Sequence, residues 1–182
     1  MAVRIISDTT CDFGPIKAKE YGVELVPLKI QRGESVWRDG IDISTDEFYA
    51  LLKSGGTLPV TSQPSPADFE DALKKLGDAE ETVIITISRT LAGTYQSATI
   101  AKDTLGYRKA HVFSTDNATM GHAIFVERAV EMAAQGADAA TILEELESYR
   151  GRVKLFAMIN DLNFLHKGGR LSGAGAFVGG LL

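Results

Sequence analysis

Residues 84 to 98 read IITISRTLAGTYQSA. Val83 to Ile87 is an apolar, β-branched run with the length of a buried strand, and Ser88-Arg89-Thr90 ends it with polar groups. Gly93-Thr94 follows, and the spacing of Leu91, Tyr95, Ala98 and Leu105 predicts a helix with those four residues on one face. A buried strand that runs into hydroxyls, a glycine and a helix start is one β-α unit. Its loop either serves a ligand or only turns the chain.

The same pattern occurs twice more. Val3 to Ser7 (VRIIS) is a short strand that stops at Asp8-Thr9-Thr10, and His111 to Ser114 (HVFS) stops at Thr115-Asp116-Asn117. Helices are predicted over Ile16 to Tyr21 behind Gly14-Pro15, and from the capping box Ser44-Thr45-Asp46-Glu47 to Gly55-Gly56. Another runs from the N-cap pair Ser65-Pro66 to Leu76. Met120 to Gln135 forms a longer helix, and beyond the break at Gly136 to Asp138 a further one carries the stripe Ile142, Leu143, Leu146 and Tyr149. Val23 to Ile30 reads as a strand with Pro27 at an edge or bulge, and turn residues Gln31 to Glu34 then make a hairpin with Ser35 to Trp37. Thr57 to Gln63 is expected to be an irregular connection, and Val153 to Ile159 a strand before a short helix stopped at Gly168-Gly169.

Strands alternating with helices predict an α/β fold, a mostly parallel sheet flanked by helices. The first domain is expected over residues 1–150 and the beginning of a second α/β domain over 151–182, with part of 23–56 packing against the second. In a parallel sheet the three polar strand ends share one rim, where such folds bind ligands. Caps and turns explain any one of these clusters, whereas three on one edge favour a site.

The composition narrows the function. With 182 residues, 45% of them hydrophobic and 24% charged, the chain can bury the core of one domain, or of one domain and part of another. The net charge is −5 and the lysines and arginines are scattered, which argues against a nucleic-acid or anionic-membrane surface. The first ten residues hold one arginine and too short an apolar run for a signal segment, and no stretch reaches the length of a membrane span, so a cytoplasmic protein is expected. Cys11 is the sole cysteine, which rules out an internal disulfide and a cysteine metal cluster; a small core or loop residue is expected rather than a nucleophile.

A helix start at Gly93-Thr94 offers unpaired amides beside hydroxyls, and the positive end of the helix dipole favours an anion, carboxylate or phosphate. A nucleotide phosphate loop is missing, and Gly173 and Gly175 match part of a dinucleotide fingerprint without the strand it needs. Serine-hydrolase chemistry lacks its elbow, and the three histidines offer no clear base: His111 begins a strand, His122 sits in a helix in a surface or packing role, and His166 faces a helix C-terminus. Neither a metal site nor a cofactor is expected. Lys167-Gly168-Gly169-Arg170-Leu171-Ser172 fits either C-cap chemistry or a contact to a phosphate or protein partner.

Four separated stretches together resemble the DegV family of bacterial lipid-binding proteins: Ser7 to Asp12 (SDTTCD), Thr61 to Pro66 (TSQPSP), Leu91 to Ala98 (LAGTYQSA) and Leu165 to Ser172 (LHKGGRLS). The resemblance implies a two-domain α/β protein with one long-chain fatty acid in a buried tunnel between the domains. It further implies a carrier without turnover, which presents the carboxylate to a separate ATP-dependent kinase subunit for acyl-phosphate formation. Carried over position by position, Thr61, with Ser62 beside it, supplies a hydroxyl to the carboxylate, Ser88, Gly93 and Thr94 belong to the cradle, and Arg170 lies near the partner or phosphoryl group. Ala92 departs from the family pattern, which has a serine there, so one hydroxyl donor is missing unless Thr90 or Ser88 substitutes. Family members also continue beyond the glycine-rich segment, and the resemblance implies a truncated form whose tunnel lacks one wall. The alternatives are a hydrolase or transferase of an acyl or phosphorylated small molecule, with Ser88 or Thr94 as nucleophile, and an interaction module without a ligand.

Overall fold

The computed structural model describes residues 3–77 and 81–171. Four strands, β1 (Arg4–Asp8), β2 (Val23–Val26), β6 (Thr82–Thr86) and β7 (Ala110–Ser114), form a sheet in the order β2-β1-β6-β7. All three pairings are parallel. Strands β3 (Lys29–Arg32), β4 (Ser35–Arg38) and β5 (Val60–Ser62) form a second, antiparallel sheet in the order β4-β3-β5.

Period-two alternation along the parallel strands divides the core into two layers. Ile5, Val83 and Ile85 point to one face, where they pack with Phe13 in the turn before α1 (Gly14–Tyr21), Ala18 of α1, Phe125 and Val126 of α5 (Thr119–Ala134), and Ile142 and Leu146 of α6 (Ala139–Arg150). Ile6 and Ile84 point to the other, against Phe69, Ala72 and Leu73 of α3 (Pro66–Leu76) and Ala98 and Ala101 of α4 (Thr94–Leu105). Helices therefore cover both faces, as a parallel sheet requires. Ile84 is fully buried, and truncating it to Ala would cost about 2–5 kcal/mol.

Helix starts follow their local chemistry. At α2 (Thr45–Lys53) the Ser44 Oγ accepts from Glu47 N at 3.3 Å while Glu47 Oε2 accepts from Ser44 N at 2.8 Å. At α3 Ser65 and Asp68 make the same reciprocal pair, and Pro66 occupies the first helical position. The last described helix, α7 (Leu162–Lys167), ends at Gly168.

Several expectations need correction. The predicted strand Val23–Ile30 divides at Pro27, which has no N–H for a ladder, and its two halves join different sheets. Thr57–Gln63 is not wholly irregular: Val60–Ser62 pairs antiparallel with β3, placing Thr61 opposite Ile30 and Ser62 opposite Lys29. Leu91 lies ahead of α4 and is exposed, so it does not share the buried face of Ala98. Val153–Ile159 forms no strand: it pairs with nothing among the described residues, and Phe156 and Met158 are 91% and 92% exposed. Gly173, Gly175 and the Ser172 that ends the LHKGGRLS stretch lie outside the described residues.

Candidate functional site

Strand order reverses between β1 and β6, and the loops at their carboxyl ends meet there. Ser7, Asp8, Thr86, Ser88, Ser114 and Thr115 are all buried along this rim. Asp8 joins the two central strands: Oδ2 accepts from Ile87 N at 2.9 Å, and Oδ1 accepts from Thr10 N at 3.0 Å and from the Thr10 hydroxyl. At β7, Thr115 Oγ1 donates to Thr86 O at 3.1 Å, and Ser114 Oγ donates to Asp116 Oδ1 at 2.9 Å. Much of the rim's polarity thus fixes the loops themselves. Asp12 and Asp116, in the loops after β1 and β7, and Thr119, the first residue of α5, have left-handed backbone with φ of 56°, 51° and 48°.

His122 completes this framework. It is fully buried, with Nε2 3.1 Å from Ser7 Oγ and Nδ1 3.0 Å from Thr10 Oγ1. Burial holds the imidazole below its ordinary pKa, against the pull of Asp8 4.0 Å away. A neutral ring has one donor. The Thr10 hydroxyl also bonds Asp8 and the Ser7 hydroxyl also bonds Ile85 O at 3.0 Å, so the ring, whichever nitrogen carries its proton, closes one network of hydroxyls, carboxylate and carbonyl. His122 is thus a buried member of a polar network rather than a surface residue. Cys11, also buried, has its thiol pushed up to about 11 by desolvation and is no nucleophile at neutral pH.

The predicted anion site lies on the adjoining loop. Gly93 precedes α4 and has no side chain with which to cap it. Thr94, the first helical residue, is fully buried, and its Oγ1 is without a hydrogen-bond partner. First-turn amides have no intrahelical acceptor, so α4 offers donors and the positive end of its dipole beside that hydroxyl. The Gly93 amide, expected to be free, donates to Gln63 Oε1 at 2.9 Å. Gln63 directly follows β5, two residues after the exposed Thr61.

Ser88 is buried, with Oγ 2.8 Å from Thr90 Oγ1 and accepting from Thr90 N at 3.3 Å. Neither the Ser88 nor the Thr94 hydroxyl touches an imidazole or carboxylate, so no described base would activate either as a nucleophile. Ala92 is half-buried in the tight turn, its N–H given to Ser88 O at 3.2 Å. Arg89, outside the predicted set, lies over the Tyr95 ring at 5.2 Å beside the α4 start, with Nε 3.9 Å from Asp116 Oδ1. Arg170 is exposed beyond α7, bonded to Gly168 O, and has no contact with Thr61, Gly93 or Thr94. Beside the loop, a cavity of about 530 Å³ is lined by Leu91, Val153, Leu155, Phe156, Asp116 and Arg150.

Among the described residues there is no group of three His, Cys, Asp or Glu side chains arranged to hold a metal ion, and no helix is long and apolar enough to cross a membrane. Of the site residues, Gln63 and His122 were not legible as such. A glutamine two residues beyond Thr61 was a usable signal for the first, whereas His122 meets its partners only through the fold.

Comparison with known proteins bears on this geometry. A family model described as an uncharacterised protein of the DegV family matches residues 2–182. The DegV domain-containing protein BH3627 of Halalkalibacterium halodurans is 35% identical over 182 residues, covering 99% of this chain and 64% of the relative. The chain thus spans just under two thirds of that relative's length. Among solved structures, a DegV family protein from Thermus thermophilus, described by its fatty acid binding, superposes with a TM-score of 0.87 at 33% identity, covering 100% of this chain and 65% of the other. DegV from Bacillus subtilis, described as a fatty acid binding protein, gives a TM-score of 0.85 at 27% identity, with coverage of 100% and 65%. By its family match and its parallel-sheet fold alike, the chain belongs to the DegV family.

Proposed function

We propose that this chain holds the carboxylate of one long-chain fatty acid at the start of α4 and acts as a carrier without turnover. The observation that carries the reading is the fully buried Thr94 hydroxyl, unpartnered at a helix start that has no side-chain cap. A buried hydroxyl left unpaired costs about 1–3 kcal/mol, and an anion there would remove that cost while meeting the α4 dipole. Thr61 would add its hydroxyl from β5, and Ser88 would hold the loop in which Ala92 leaves one donor fewer. The cavity beside this loop, where Leu91, Val153, Leu155 and Phe156 stand among the polar Asp116 and Arg150, would admit the acyl chain along its apolar side. Fatty acid binding by the Thermus thermophilus and Bacillus subtilis proteins supports the ligand class.

In this reading residues 1–150 form the head-group domain and 151–182 the beginning of a second α/β domain that covers the ligand. The protein works in the cytoplasm and hands the bound carboxylate to a separate ATP-dependent kinase, with Arg170, exposed and remote from the cradle, on the partner side. Native mass spectrometry of the protein as purified, followed by denaturing extraction, tests the ligand. One fatty acid per chain is the expected result. A chain that is lipid-free and takes up no oleate sinks the proposal.

A further inference from the structure

Gln63, the residue after β5, reaches across to the start of α4. Its Oε1 accepts from Gly93 N at 2.9 Å, and its Nε2 lies 3.3 Å from Ser97 Oγ. A backbone amide can only donate, so the oxygen end of the Gln63 amide must be the end that faces Gly93. A Cβ at position 93 would meet that group at 2.5 to 2.8 Å. The missing side chain at Gly93 is thus what lets an external oxygen reach the backbone there. Gln63 itself is exposed, while Thr94 Oγ1, one residue further, is buried and unpartnered.

Resting on the anion site described above, we propose that Gln63 is a displaceable cap whose neutral amide oxygen holds the place of a carboxylate oxygen on the Gly93 N–H. An incoming carboxylate takes that donor, and Gln63 turns out into water. Three physical terms favour the exchange. A charged acceptor makes a stronger bond to the same N–H than a neutral amide does. The positive end of α4 prefers an anion to a dipole of no net charge. The released amide, on an exposed side chain, is rehydrated at small cost. Gln63 therefore opposes every ligand equally but is overcome most readily by an ionised one, which makes it a determinant of specificity for acids over neutral lipids.

The test titrates sodium oleate, below its critical micelle concentration, into the delipidated 182-residue chain and into Gln63→Ala and Gln63→Glu. The Gly93 backbone and Gln63 side-chain amide resonances are followed in isotope-labelled wild type. Removing the competitor in Gln63→Ala should tighten oleate binding about threefold. An internal carboxylate in Gln63→Glu should weaken it by about tenfold or more. In wild type the Gln63 side-chain resonances should move to those of a solvated glutamine as oleate saturates. Unchanged or weaker binding by Gln63→Ala overturns the proposal and makes Gln63 a strut of the site instead. If wild type binds no oleate, the fatty-acid reading falls separately, and sodium acetate then decides the cap. A Gly93 shift with release of Gln63 sustains it, and resonances that do not respond to acetate overturn it.

Discussion

His122 and Ser7 lie 115 residues apart in the chain and 3.1 Å apart in the fold. Through this contact, and through Thr10, α5 is tied to the carboxyl end of β1, where Asp8 in turn fixes the first residue after β6. The loop that carries Ser88 and leads to Gly93 thus begins from an anchored backbone.

Replacing His122 by Ala should be severely destabilising. It leaves a cavity and removes the partner of the buried Ser7 hydroxyl and of the half-buried Thr10 hydroxyl, with an expected loss of about 3 kcal/mol. Chemical denaturation, with the midpoint falling at unchanged slope, is the check.

The same residue sets a pH dependence. Its folded pKa lies below the ordinary value near 6.5, so between the two the unfolded chain binds the proton and the native state does not. Stability from this group is complete above 6.5 and falls as the pH drops toward the folded value. Melting temperatures measured downward from pH 7 should decline over that window in wild type, and less steeply in His122→Gln.

Cys11 should resist alkylation. With the thiol pushed up to about 11 and buried, iodoacetamide at pH 8 should leave the native protein unmodified and label it after denaturation. Labelling of the native chain at the rate of a free thiol would contradict the structure.

Gly93→Asp should abolish oleate binding with little change in stability. The backbone at position 93 has φ of −83° and ψ of 16°, outside the extended geometry from which a side chain caps a helix, so an aspartate in place of glycine is worth at most about a few tenths of a kcal/mol there. Its side chain would evict Gln63, and its carboxylate would occupy the anion site. A melting temperature near that of wild type with loss of oleate binding is expected.

Phe156 and Met158 are almost wholly exposed on the segment after α6. Substituting both by Ser should change stability by less than about 0.5 kcal/mol, because neither is packed, and should reduce self-association seen by light scattering. A large loss of stability would mean that the segment is held in the core.

How far the sequence could be read depended on the range of the determining interactions. Val83–Ile87 and Val3–Ser7 were legible because a strand covered by helices on both faces must be apolar throughout, and the hydroxyls behind them fell on one rim because the strands are parallel. The capping box at Ser44 is a local device and was read correctly. Strand β5 was missed because all three of its residues are exposed, so no hydrophobic alternation marks it. The apolar run Val153–Ile159 misled for the opposite reason, since apolar character without a partner strand makes no ladder. His122 looked unremarkable because its partners at positions 7 and 10 lie 115 and 112 residues away. Gly93 was legible from the helix start that follows it and Thr61 only through a resemblance, whereas the bond of Gln63 to Gly93 emerges only from the fold.

The strand order has a consequence for synthesis. β1 lies between β2 and β6, and the Asp8–Ile87 contact spans 79 residues of chain. At about 5–20 residues per second, translation separates the emergence of these two neighbours by roughly 4–16 s. During that interval one edge of β1 is unpaired, and Ile6, whose face is completed by Ile84 and Ala98, is without its neighbours. The nascent N-terminal segment therefore leaves the ribosome as a half-built sheet, whose open β1 edge is closed only when β6 arrives.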